Sequence, residues 1–116
     1  MATSKSKQDR SERRQYPRVS RNIQVKMQTD SLGYDVQGET HDLSPVGTYC
    51  QVDRDIPEMT RLMMIFDLPT DSVKCEGTVV RSTSDAVRAD RFNLAIFFSE
   101  ISETSKHHLA EFCDSP

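Results

Sequence analysis

Six short segments of strand character, each closed by turn-forming residues, constrain this 116-residue chain more than any other feature. Asn22 to Gln28 alternates, with Ile23, Val25 and Met27 on one side and Gln24, Lys26 and Gln28 on the other. That period of two is the mark of a half-buried strand. Thr29-Asp30-Ser31-Leu32-Gly33 reads as a turn, and Tyr34 to Thr40 as the returning strand. Asp42 to Gly47, with Pro45 and Gly47, breaks the pattern before a third strand at Thr48 to Val52. Asp53 to Thr60 is charged, holds Pro57 and reads as a loop. Arg61 to Leu68 is a nearly continuous apolar run, expected to be a buried strand stopped by Pro69. Val73 to Arg81 and Phe92 to Phe98 complete the set, with Ser82 to Asp90 as a polar hairpin loop between them. Short strands at close spacing predict a small antiparallel barrel or sandwich. Beyond them Ser102 is placed to cap a helix with Ser105, Leu109 and Phe112 on one face, which would close one end of the barrel.

The length suits one domain. Residues 1–12 are polar, rich in Ser and Lys and without periodicity, so a disordered basic tail is expected there. No apolar run approaches a membrane span, and no apolar segment follows the N-terminus as it would in a secretory signal. A cytoplasmic protein with no membrane insertion is therefore expected. Cys50, Cys75 and Cys113 are odd in number, widely spaced and unlike a disulfide framework or a metal site. Cys50 and Cys75 sit in strand contexts and should pack as small hydrophobes, while Cys113 near the terminus is expected at the surface.

The net charge of −3 conceals an asymmetry. Residues 1–26 hold eight basic groups against two acidic ones, and residues 27–116 hold seven against sixteen. A basic arm on an acidic body suits a small anionic ligand better than a nucleic-acid polymer, which would have to lie across the acidic surface. Within that arm, Arg13-Arg14-Gln15-Tyr16-Pro17-Arg18 contains R-x-x-x-R with an extra Arg before it. Pro17 biases Tyr16 toward an extended conformation, so these arginines belong to an extended lead-in and not to a helix. After 23 intervening residues comes Asp42-Leu43-Ser44-Pro45-Val46-Gly47, or D-x-S-x-x-G. Guanidinium groups bond bidentately to phosphate oxygens or to the O6/N7 edge of guanine. A carboxylate accepts from the donors on guanine's other edge, and glycine admits close backbone approach.

These two motifs in this order, with a strand-length gap between them, resemble the PilZ domain family. The resemblance runs from about Arg13 to Phe112. It implies a six-stranded antiparallel β-barrel with a C-terminal α-helix: an arginine lead-in over 13–21, a barrel over 22–98 and a helix over about 102–113. It also implies a receptor for the bacterial second messenger cyclic di-GMP, without an output domain of its own, that signals to an unidentified protein effector when its N-terminal arm becomes ordered. By the same resemblance Arg14 and Arg18 contact guanine and phosphates, and Asp42, Ser44 and Gly47 form the opposing part of the site. An arginine at the position of Arg13 accompanies binding of a stacked, intercalated nucleotide pair. The alternative is a PilZ-like protein-interaction module that binds no nucleotide.

No cofactor and no enzymatic activity are expected. His41, Asp42 and Ser44 are neighbours on one strand end, whereas a nucleophile triad is assembled from separated segments. His107 and His108 are adjacent and do not face one another on a helix. No pair of ligating residues has the spacing of a zinc or calcium site, and there is no phosphate-binding glycine loop. The last strand departs from the family pattern, with Ala95 where Gly is usual and Phe97 where a polar residue is usual. Phe97 is thereby expected on the outer face, either under the helix or as a contact surface.

Overall fold

Alternating side chains bring one apolar face of each strand together, and the sheet curls until its edges meet. In the computed structural model, which describes residues 19–29, 33, 35–69 and 71–114, six strands form a closed barrel. They are β1 (Gln24–Gln28), β2 (Val36–Ser44), β3 (Gly47–Val52), β4 (Arg61–Asp67), β5 (Ser72–Ser84) and β6 (Phe92–Glu100). The order round the barrel is β1-β2-β3-β6-β5-β4, every pairing is antiparallel, and β4 returns to β1 with Val25 opposite Phe66. Closure gives each of these strands a partner on both sides. The expected tail over residues 1–12 lies outside the described residues.

The interior holds Val25 and Met27 from β1, Leu62, Met64 and Phe66 from β4, and Leu94, Ile96 and Phe98 from β6, all nearly inaccessible to water. The Phe66 and Phe98 rings meet edge to face at 5.5 Å, a favoured aromatic arrangement. The apolar run of β4 is less buried than its composition suggests. Met63 is 41% exposed, because alternate residues of a barrel strand point outward whatever their chemistry.

Two strands run well past their sequence signals. β2 continues through Ser44 into the D-x-S-x-x-G segment, and β5 continues through Ser84 into the polar stretch expected to be loop. Both contain a register shift, between Thr40 and Asp42 in β2 and between Val79 and Arg81 in β5. A one-residue bulge inverts the inside–outside alternation, so the period-two pattern stops while the strand does not.

The helix α1 (Glu103–Asp114) follows β6. Ser102 caps it, its Oγ accepting from the Ser105 N–H at 3.0 Å. Leu109 and Cys113 are the buried residues of its inner face, with Phe112 half-buried beside them. Cys113 is thus packed inside and not at the surface. Its place one turn after Leu109 sets it against the barrel, where its Sγ donates to the Leu43 carbonyl at 3.4 Å.

Candidate functional site

Asp42 reaches the outer surface because of the bulge in β2. Thr40 is fully buried, and strict alternation would send His41 out and Asp42 in. Instead Thr40 pairs with Cys50 and Asp42 with Tyr49, leaving His41 as the extra residue. His41 is exposed, Asp42 partly exposed, and Leu43 fully buried again. The His41 and Tyr49 rings lie 6.1 Å apart on this surface. The Asp42 carbonyl accepts from Thr48 Oγ1 at 2.7 Å, which fixes the backbone on the far side of the bulge. Burial first, and then the Asp42 carboxylate, push the Cys50 thiol up to about 12.

Ser44 and Gly47 close the β2–β3 hairpin around Pro45 and Val46. Ser44 Oγ accepts from the N–H groups of Val46 and Gly47, each at 3.2 Å, and donates to the Gly47 carbonyl at 3.3 Å. The residue is fully buried, and these three bonds use the whole capacity of a hydroxyl. Gly47 meets β6: a Cβ there would lie 2.6 Å from the Ile96 carbonyl oxygen. Glycine is required at this position by the neighbouring strand, whatever else approaches it.

The lead-in to β1 runs along the same part of β2. The Val19 N–H donates to the Leu43 carbonyl and the Leu43 N–H to the Val19 carbonyl, both at 3.0 Å. Thr40 Oγ1 donates to the Arg21 carbonyl and accepts from the Ile23 N–H, and Asn22 Nδ2 donates to the Thr40 carbonyl. The Arg21 guanidinium sits 5.4 Å above the Phe112 ring of α1, a cation–π distance. The lead-in, the motif strand and the end of the helix therefore meet around Leu43. Burial raises the Cys113 thiol to about 11 against the opposing pull of Arg21.

Of the six residues expected at a ligand, Asp42, Ser44 and Gly47 are brought together at one end of the β2–β3 ladder. Arg13, Arg14 and Arg18 lie outside the described residues. Thr40, Arg21 and Phe112 join the site without any motif to announce them. Only the basic count of the N-terminal segment pointed to Arg21, and nothing pointed to Thr40. Among the described residues no group of His, Cys, Asp and Glu could hold a metal ion. A cleft of about 350 Å³, lined in part by Gln37, Glu39, Gln51, Asp53, Arg88 and Arg91, opens at the other end of β2 and β3, away from Asp42.

The closed six-stranded barrel and the capped helix that follows β6 agree with one family description, the PilZ domain, which matches residues 12–115. The chain belongs to the PilZ domain family. No curated protein matches it. Among solved structures it is similar to the Bacillus subtilis inhibitor of motility (MotI/DgrA), with a TM-score of 0.74 and 21% identity. That alignment covers 87% of this chain and 49% of the other, so the chain spans about half the length of the Bacillus protein. It is also similar to the PilZ domain of YcgR from Escherichia coli, solved with c-di-GMP. The TM-score there is 0.65 at 15% identity, over 84% of this chain and 86% of that one. The PilZ domain of CeSA from a cellulose-synthesizing bacterium gives 0.59 at 16% identity, covering 84% and 94%. At these identities the likeness is one of PilZ fold, and the site has to be argued from its own residues. No helix among the described residues is long and apolar enough to cross a membrane.

Proposed function

We propose that this PilZ domain is a receptor for cyclic di-GMP, held between the arginines of the N-terminal segment and the outward-turned Asp42. The observation that carries the reading is the position of Asp42. A bulge exposes it next to Leu43, the residue on which the lead-in is pinned at Val19. In sequence Arg18 is joined directly to Val19, with Arg14 and Arg13 before it. In this reading Asp42 accepts from the guanine N1 and N2 donors, and Arg14 and Arg18 contact guanine edges and phosphates. Ser44 and Gly47 act through the tight turn that holds Asp42 in register, and Arg13 allows a second nucleotide to stack on the first. The ligand class is supported by YcgR, whose PilZ domain has been solved with c-di-GMP.

In this reading the same segment carries the signal. The N-terminal segment orders over the ligand, neutralises its phosphates and changes the surface offered to a protein effector. Because Arg21 and Val19 contact α1 and β2 together, ordering of the segment is felt at the end of the helix. A calorimetric titration with cyclic di-GMP tests the reading. Saturable binding is expected, and Arg14→Ala or Arg18→Ala should each weaken it by about 1.5–3 kcal/mol while the barrel melts as before. A wild-type protein that shows no heat of binding refutes it and leaves the protein-interaction role.

A further inference from the structure

The two bulges that re-aim β2 and β5 stand at opposite ends of one row of residues across the outside of the barrel. In register, Asp42 of β2 faces Tyr49 of β3, Tyr49 faces Ala95 of β6, and Ala95 faces Arg81 of β5. At the β5 end Val80 is the extra residue, so Val80 and Arg81 both come outward, as His41 and Asp42 do at the β2 end. In the adjoining row Gly47 faces Phe97, and Phe97 faces Thr78. Residues directly opposite share a face, so Phe97 stands 53% exposed across from the buried Gly47, and Ala95, two residues before it on the same face, adds only a methyl group. Tyr49 and Phe97 thus border a low spot at Ala95, and Arg81 ends the row. Arg81 forms no ion pair with the described residues. Three strand spacings separate Asp42 from Arg81, about 14 Å.

We infer that this strip is a continuation of the nucleotide site: a purine base stacks on Phe97 beside Ala95, and Arg81 binds a phosphate. The inference rests on the receptor reading above and adds residues outside both motifs. Several observations converge on it. Bulges re-aim side chains, and both ends of this row are bulged. An aromatic ring among small neighbours presents its face to a base, and stacking tolerates any base. The row is continuous with Asp42, so a ligand anchored there extends over Phe97 without leaving the sheet. A guanidinium at the far end meets the phosphate charge that Asp42 cannot.

Calorimetry with cyclic di-GMP on the full chain tests this with Phe97→Ala, Phe97→Tyr and Arg81→Gln. Phe97→Ala and Arg81→Gln should each weaken binding about tenfold with melting temperatures like the wild type, since both side chains are exposed. Phe97→Tyr should restore affinity, a rescue that a mere packing role at an exposed position would not produce. Transferred magnetisation between the Phe97 ring protons and the guanine H8 proton should be seen in the complex. If the wild type binds and both Phe97→Ala and Arg81→Gln bind equally well, the extended strip is wrong and the receptor reading stands. If the wild type itself fails to bind, the receptor reading falls and this inference with it.

Discussion

Replacing Gly47 by alanine should destabilise the barrel before it says anything about a ligand. The added Cβ would lie 2.6 Å from the Ile96 carbonyl oxygen and 3.6 Å from the Phe97 Cα, both backbone atoms of β6. A flexible side chain could swing aside, but a strand backbone held on both edges cannot. β3 and β6 would have to part by about 0.4 Å merely to reach the closest approach that real Cβ atoms show. The adjoining bond from the Phe98 N–H to the Val46 carbonyl, 2.9 Å long, stretches with them. Overpacking of this kind costs about 1–3 kcal/mol, and a weakened backbone hydrogen bond adds about 1 kcal/mol. A loss of about 2–4 kcal/mol is a large part of a small domain's stability. It should lower Tm by on the order of 10–20 °C. Thermal and urea unfolding of the ligand-free protein, followed by circular dichroism, measures it directly. A Gly47→Ala protein that melts with the wild type yet no longer binds nucleotide would refute the steric argument. It would move Gly47 from the barrel to the ligand.

Ser44 and Asp42 should separate in the same assays. Ser44→Ala leaves the buried N–H groups of Val46 and Gly47 without their acceptor and should cost about 1–3 kcal/mol of stability. Asp42→Ala should instead lose cyclic di-GMP affinity at near wild-type stability; equal melting temperatures for the two variants would contradict this division. On stoichiometry, calorimetry should find two nucleotides per chain, moving toward one in Arg13→Ala, and added salt should weaken binding because the contacts are to phosphates. A clean one-to-one wild-type complex would remove the role given to Arg13. Alkali should destabilise the barrel through its thiols. Burial raises Cys50 and Cys75 from 9.0 to about 12, so their contribution is complete below pH 9 and is lost as pH rises toward 12. The urea midpoint should therefore fall above pH 9, less steeply in Cys75→Ala; identical slopes would show that the thiol does not carry the effect.

The chain's own pattern was sufficient for the strand faces. Val25 and Met27 turn inward because they alternate with Gln24, Lys26 and Gln28, and Ser102 caps α1 because a hydroxyl there meets the Ser105 N–H. Alternation and capping are local, written within a few residues, so six strands and a helix could be read in order. The outward position of Phe97 was legible for the same reason, and the PilZ family match agrees with the family that the two motifs suggested.

Parity was not legible. One extra residue at His41 and another at Val80 reverse which side chains face out, and a bulge exists only relative to the register of a partner strand. Local pattern therefore ended β2 at Thr40 and β5 at Arg81, and could not tell that Asp42 faces outward while Ser44 is sealed inside the hairpin. Gly47 drew attention as a place for a ligand's approach, yet the nearest obstacle to a side chain there is the Ile96 carbonyl, some fifty residues away in the chain. Cys113 looked peripheral by its place near the terminus and is buried by the return of α1 to Leu43. Segments chose their own conformation from their own residues. Which of those residues meet, and therefore which can form a site, was decided by the closure of β4 on β1 and by the registers that closure enforces.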